Sequence, residues 1–316
     1  MRKRTAAILG IGAVAAGAFA LRRVGLREDL EWREVAKPGR VIDIDGYGVH
    51  YVDQGAGAAI VLVHGFGGST YSYRHQIPAF SQDRRVIAVD LKGFGYSERR
   101  ADAGLSATDQ VRMLKRLLDQ FGVAHAAFVG HSMGGAVVQR FAAAYPEAVD
   151  ALVLAGSVRP VARARVWLPA PLVRPFAPAI AALTASRMLT LAFHDRTKLD
   201  DAVRDAYLRP LRLRGSLDGL LAMMRDHRHD APADLSRVRM PVLLLWGADD
   251  RLVPLRVAHE IRRDLPQARL TVIEGAGHML LEEQPGACNR AIDEFLRGAT
   301  AGQRVPDSAL QPSPGS

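Results

Sequence analysis

From residue 40 onward the chain alternates short apolar runs with longer stretches of helical period. The runs fall at 60–63, 86–89, 126–129, 151–154, 242–246 and 270–273, and they consist mostly of Val, Ile, Leu and Ala. Strands of that composition are buried on both faces, which calls for a parallel sheet covered by helices. Amphipathic spacing predicts those helices at 107–121, 133–144, 254–264 and 285–297. Ahead of them, 41–45 and 49–52 flank Gly46 and Gly48 as the arms of a hairpin. The pattern predicts an α/β domain with a mostly parallel, doubly wound sheet over 40–156 and 236–297. Residues 157–235 break the rhythm. Pro160, Pro169, Pro171, Pro175 and Pro178 precede helix-like stretches rich in Leu, Ala, Met and Arg, so this block reads as a helical cap inserted between two strands. The Gly/Ala/Pro/Ser/Gln-rich residues 298–316 read as a disordered tail.

The first residues follow a different logic. Arg2-Lys3-Arg4 precede an uncharged run of seventeen residues from Thr5 to Leu21, which Arg22-Arg23 close. A positive segment followed by an apolar one is the pattern of a secretory signal or a membrane anchor. Such a run, if helical, spans about 25 Å, slightly short of a hydrocarbon core. Arginines directly after it oppose export. Residues 1–24 are therefore expected to form an uncleaved anchor that associates the protein with a membrane. Export after cleavage near Ala18-Phe19-Ala20, or a cytoplasmic location, are the alternatives. The net charge of +9 is concentrated in two places: 1–40 holds nine Lys/Arg against four Asp/Glu, and 157–235 holds thirteen against eight. No zinc finger, RNP motif or basic heptad helix accompanies it, which argues against nucleic acid and for an anionic membrane surface. Cys288 is the single cysteine, so no intrachain disulfide can form, and with no His/Asn pattern framing it in a helical-looking stretch it reads as a core residue.

Candidate chemistry gathers at the ends of the predicted strands. Gly130-His131-Ser132-Met133-Gly134 follows one apolar run and opens a helical pattern. A nucleophilic serine needs such a sharp strand-to-helix turn, with small residues two positions before and after it. His64-Gly65-Phe66-Gly67-Gly68 follows the 60–63 run. Its glycines allow close approach to a substrate, and the N–H of Phe66 would pair with that of Met133 as an oxyanion hole. No Gly-Lys-Ser/Thr follows, which argues against a phosphate loop. His64 is expected to be structural, since it belongs to the loop that builds the hole. Two further loops carry Asp249-Asp250 and, after Gly275-Ala276-Gly277, His278. The order Ser, Asp, His is that of one known triad arrangement, in which the carboxylate orients the imidazole that takes the serine proton.

In order along the chain, HGFGG (64–68), DLKGFGYS (90–97), GHSMGG (130–135), WGADDRLVP (246–254) and GAGH (275–278) resemble the α/β-hydrolase superfamily, in the branch with a helical cap after the sixth strand. The resemblance spans about 40 to 297. It implies Ser132 as nucleophile, His278 as base and Asp250, four residues before Pro254, as the orienting acid, with Asp249 as the alternative. It makes Asp90 a structural residue that shapes the turn around Gly93 and Gly95. It also argues against epoxide opening and dehalogenation, which use an aspartate where this chain has Ser132. The implied activity is cleavage of a carboxylic ester or related acyl bond in a hydrophobic small molecule, with no cofactor and no metal. Leu, Met and Trp167 of the cap would line the acyl site, and its arginines would face outward. Carbon–carbon cleavage of ring-fission products, or ligand binding without turnover, are the alternative functions.

Overall fold

The computed structural model describes residues 28–160, 186–226 and 230–302. Eight strands are present: β1 Arg40–Ile44, β2 Tyr47–Gln54, β3 Ala59–Val63, β4 Arg85–Val89, β5 Ala126–His131, β6 Val149–Ala155, β7 Val242–Gly247 and β8 Arg269–Ile273. They form one sheet in the order β1-β2-β4-β3-β5-β6-β7-β8. Only the β1–β2 and β2–β4 pairings are antiparallel; every other neighbour pair is parallel. The six apolar runs are therefore the six parallel strands.

Alternation along these strands feeds two cores. Val61, Val63, Ile87, Val89, Leu244 and Trp246 point into one apolar layer, while Ile60, Leu62, Val86, Ala88, Leu243 and Leu245 point into the other. Helices α1 (Gln76–Phe80), α2 (Ala107–Gln120), α3 (Met133–Ala144), α4 (Asp201–Leu208), α5 (Ser216–Asp226), α6 (Arg256–Asp264), α7 (Leu280–Glu283) and α8 (Pro285–Gly302) follow in chain order. Leu114 and Leu117 of α2, Val138 and Phe141 of α3 and Ile261 of α6 cover the first layer. Ile77 and Phe80 of α1 and Cys288, Ile292 and Phe295 of α8 cover the second. Burial on both faces is what the uniform apolar composition demanded. The fold is that of an α/β hydrolase.

The insertion between β6 and β7 is helical where it is described, over 186–192, α4 and α5. Trp167 and four of the five prolines lie outside the described residues, as does the 1–24 segment. No described helix is long and apolar enough to cross a membrane. One expectation is corrected. Residues 298–302, read by composition as the start of a tail, continue α8, whose Ala299 packs beside the second apolar layer. Packing of that face outweighs the helix-weakening glycines. The insertion also has a partner that composition did not reveal. Leu30 forms a parallel bridge with Leu213, Glu28 accepts from the N–H groups of Gly215 (3.1 Å) and Leu217 (2.7 Å), and Asp29 pairs with Arg212 at 2.7 Å.

Candidate active site

Ser132 sits between β5 and α3 with φ 53° and ψ −117°. A non-glycine residue in that region is strained, and the strain persists because the surroundings over-determine it. The Ser132 N–H donates to Ala155 O on the neighbouring strand at 2.9 Å, and its carbonyl accepts from Gly135 at 3.0 Å. A Cβ on Gly134 would lie 2.2 Å from Val63 O, and one on Gly130 would lie 2.5 Å from Val138 Cγ2. Both flanking small residues are thus required by close approach of α3 to β3 and β5. The turn lies between β3 and β5, where successive crossovers leave in opposite directions, the place where open α/β sheets open a crevice.

Two loops from strands further along the sheet meet beside it. The Asp250 carboxylate is buried, and its Oδ1 accepts from the N–H groups of Leu252 (2.9 Å) and Val253 (2.8 Å). Its Oδ2 lies 2.8 Å from His278 Nδ1. The buried indole of Trp246 donates to Val253 O at 2.8 Å and closes this acid loop. The same loop is stitched to the histidine loop by Ala248 N to Ile273 O (2.9 Å) and Asp249 N to Ala276 O (3.0 Å). Gly156, which follows β6, is the common neighbour: a Cβ there would lie 3.3 Å from both Asp250 Oδ2 and His278 Nδ1. With Nδ1 on the carboxylate, His278 Nε2 is left for a second partner. Asp249 points elsewhere, to His194 Nδ1 at 3.4 Å, so the carboxylate on His278 is that of Asp250.

The β3 loop completes the group. Gly65 lies flush against the serine: a Cβ on it would be 2.9 Å from Ser132 Cβ. Neither the Phe66 nor the Met133 N–H has an acceptor among the described residues. Met133 opens α3, where N–H groups are unpaired and the helix dipole favours negative charge. The Phe66 side chain is exposed and meets Phe94 edge-on, with centroids 5.5 Å apart. His64 is fully buried; its Nε2 accepts from Leu91 N at 3.0 Å and its Nδ1 donates to Gly65 O at 2.7 Å. Both nitrogens are engaged, and burial lowers its pKa, so it stands as a neutral strut for the loop.

His131, the variable residue of the serine motif, has a part that the motif did not signal. Its Nε2 donates to His278 O at 2.9 Å, and the two rings lie 4.8 Å apart. Burial, followed by the proximity of His278, pushes its pKa down to about 3. A neutral imidazole therefore props the backbone of His278. Cys288 is fully buried and burial pushes its thiol up to about 12, which leaves it a core residue. Among the described residues no group of three or more His, Cys, Asp or Glu side chains could hold a metal ion.

Sheet, elbow and insertion together define a hydrolase of the α/β class. A family model described as the alpha/beta hydrolase fold matches residues 58–285, and the chain belongs to that family. It is 32% identical to the 2-hydroxymuconate semialdehyde hydrolase of Pseudomonas putida over 281 residues, 83% of this chain and 95% of that protein. Among solved structures it is similar to a meta-cleavage product hydrolase from Pseudomonas fluorescens IP01, with a TM-score of 0.70 and 27% identity, covering 83% of this chain and 98% of that one. A thermophilic esterase from Thermogutta terrifontis is similar at a TM-score of 0.69 and 25% identity, covering 83% and 99%.

Proposed function

We propose that the chain is a serine hydrolase that cleaves a carbon–carbon bond beside a ketone or aldehyde carbonyl in a hydroxy-oxo-dienoate, the kind of product left by fission of an aromatic ring. The observation that carries the serine chemistry is the strained Ser132 beside a His278 whose Nδ1 is held 2.8 Å from the Asp250 carboxylate. The choice of bond is supported by the likeness to 2-hydroxymuconate semialdehyde hydrolase and to the meta-cleavage product hydrolase.

The steps follow from the side chains. The dienol first ketonises, its hydroxyl proton passing to the carbon beside the terminal carbonyl; Ser132 Oγ then attacks that carbonyl carbon while His278 Nε2 takes the serine proton. Asp250 fixes the tautomer and stabilises the imidazolium. The oxyanion is held by the N–H groups of Phe66 and Met133, a type of donor worth roughly 3 kcal/mol each. Collapse breaks the carbon–carbon bond of the ketonised substrate; the electron pair flows through the remaining C=C onto the 2-oxo oxygen, and His278 returns its proton there to leave a 2-hydroxydienoate. Water, deprotonated by His278, then releases the acid from Ser132. An ester follows the same course with an alkoxide as leaving group. Ester cleavage is the second reading, and the likeness to the Thermogutta esterase favours it.

The deciding test gives the purified protein 2-hydroxymuconate semialdehyde, made from catechol by a ring-cleaving dioxygenase, beside p-nitrophenyl esters from acetate to palmitate. Loss of the dienolate absorbance with kcat/KM about a hundredfold above that of any ester supports the main reading. The reverse ranking transfers the chain to the esterases. Turnover that survives in Ser132→Ala would overturn both. The 1–24 segment is proposed to hold the protein at a membrane. Removing it should release the protein from the membrane fraction, and unchanged partitioning would overturn that placement.

A further inference from the structure

Glu283 takes no part in the steps above, yet it is 1% exposed and its carboxylate accepts from three backbone N–H groups. Its Oε1 accepts from Gly277 N at 2.8 Å, the residue before His278. Its Oε2 accepts from His194 N and Asp195 N, each at 2.8 Å, in the described part of the insertion. Charge-assisted bonds of this kind are among the stronger ones, and a buried carboxylate without its donors is costly. One side chain therefore spans two separate backbones.

Those backbones touch directly as well. A Cβ on Gly277 would lie 2.7 Å from both Ala192 O and His194 N, so the crossing admits glycine alone. Met279 N donates to Ala192 O at 3.1 Å, and the Met279 side chain joins Phe193, Leu199, Val203 and Tyr207 in the small apolar cluster of the insertion. Lys198 donates to the Glu283 carbonyl from the same side. His278 is thus flanked on both sides, at 277 and 279, by residues tied to the 192–195 segment.

We propose that Glu283 is a positioning residue: its carboxylate locks the loop that carries His278 to the 192–195 segment of the insertion, so that the place of the imidazole is set jointly by sheet and cap. The proposal rests on the reading of His278 as the base for Ser132. It makes a shift of the cap a shift of His278, transmitted through the Glu283 carboxylate together with the backbone contacts at 277 and 279 rather than through the substrate.

The test uses the full chain and a fluorophosphonate as probe. In Glu283→Gln a carboxamide NH₂ would face at least one of the three N–H donors. The expected result is a maximal labelling rate at Ser132 on the order of 10²-fold lower, the effect of about 1 Å of misplacement. The half-saturating probe concentration should stay within about threefold. Hydrogen exchange should quicken at 192–195 and 275–279 while α2 and α3 stay protected. Glu283→Asp keeps the charge but withdraws the oxygens, and should reproduce the rate loss at a smaller size if the glutamine variant folds poorly. Unchanged maximal labelling in both variants, or exchange that quickens throughout the sheet, would overturn the proposal. Failure of the unaltered protein to label at all would instead sink the serine reading. The exchange pattern would then still decide whether Glu283 couples the two segments.

Discussion

Among the described residues two buried histidine–aspartate pairs stand at either side of the sheet with nearly the same geometry. His50 Nδ1 lies 2.7 Å from Asp90 Oδ2, and His278 Nδ1 lies 2.8 Å from Asp250 Oδ2. Each aspartate also accepts from two backbone N–H groups: Thr70 and Tyr96 on Asp90, Leu252 and Val253 on Asp250. The difference lies beyond the imidazole. His50 is fully buried, and its Nε2 has no hydrogen-bond partner among the described residues and backs onto Gly39, where a Cβ would come within 2.8 Å. His278 stands beside the partly exposed Ser132. Burial pushes Asp90 up, but the hydrogen bond and charge of His50 outweigh it and hold the carboxyl below its usual range. A carboxylate–imidazole pair is therefore not a site by itself. In the proposed function it becomes one only at His278, whose second ring nitrogen is read as taking the proton of Ser132.

Exchanging the lesions would break this comparison. His278→Gln and Asp250→Asn should each lower turnover per folded molecule on the order of 10⁴-fold, measured as kcat/KM. Asp90→Asn, at the other pair, should leave turnover per folded molecule within about threefold and cost roughly 3–5 kcal/mol in denaturant unfolding, as expected when one partner of a buried pair is removed. An Asp90 variant that is stable but inactive would make the second pair part of the chemistry.

Another buried carboxyl sharpens the point with pH. Burial raises Glu282 to about 7 from its ordinary 4.5, even though Arg74 stands 2.8 Å away. The raised value means that the folded state favours the protonated form. That contribution is complete below about pH 4.5, declines through pH 4.5–7 and is absent above it. Glu282→Gln is neutral throughout, so its stability relative to the unaltered protein should rise across that window by up to about 3 kcal/mol. A flat difference from pH 4.5 to 8 would refute it. The smallest effect belongs to the exposed pair between Asp29 and Arg212, where Arg212→Ala should cost under about 1 kcal/mol and less still in high salt.

What could be read in the residues differed between these regions. The parallel strands were visible because each is a short run of mostly apolar residues, and all but the edge strand β8 are buried on both faces. The serine turn was visible because its glycines are demanded locally, by the approach of α3 to β3 and β5 within a few residues. His50, His131 and Glu283 carried no such mark. A lone histidine or glutamate looks the same whether it meets water or a buried donor, and the partners of Glu283 come from two loops, one of them 88–89 positions away. The strap at Glu28–Glu31 was hidden for the same reason, since its partners at 212–217 are far along the chain.

By itself the sequence determined the class of fold, the order of its strands along the chain, and the residue types offered at the ends of those strands. These depend on burial period and on turns closed within a few residues, which are local properties. Only the tertiary structure decided which aspartate meets which histidine, and which carboxylate binds the insertion to the histidine loop. Those outcomes depend on ångström-scale distances between segments that the chain brings together only when the sheet is assembled.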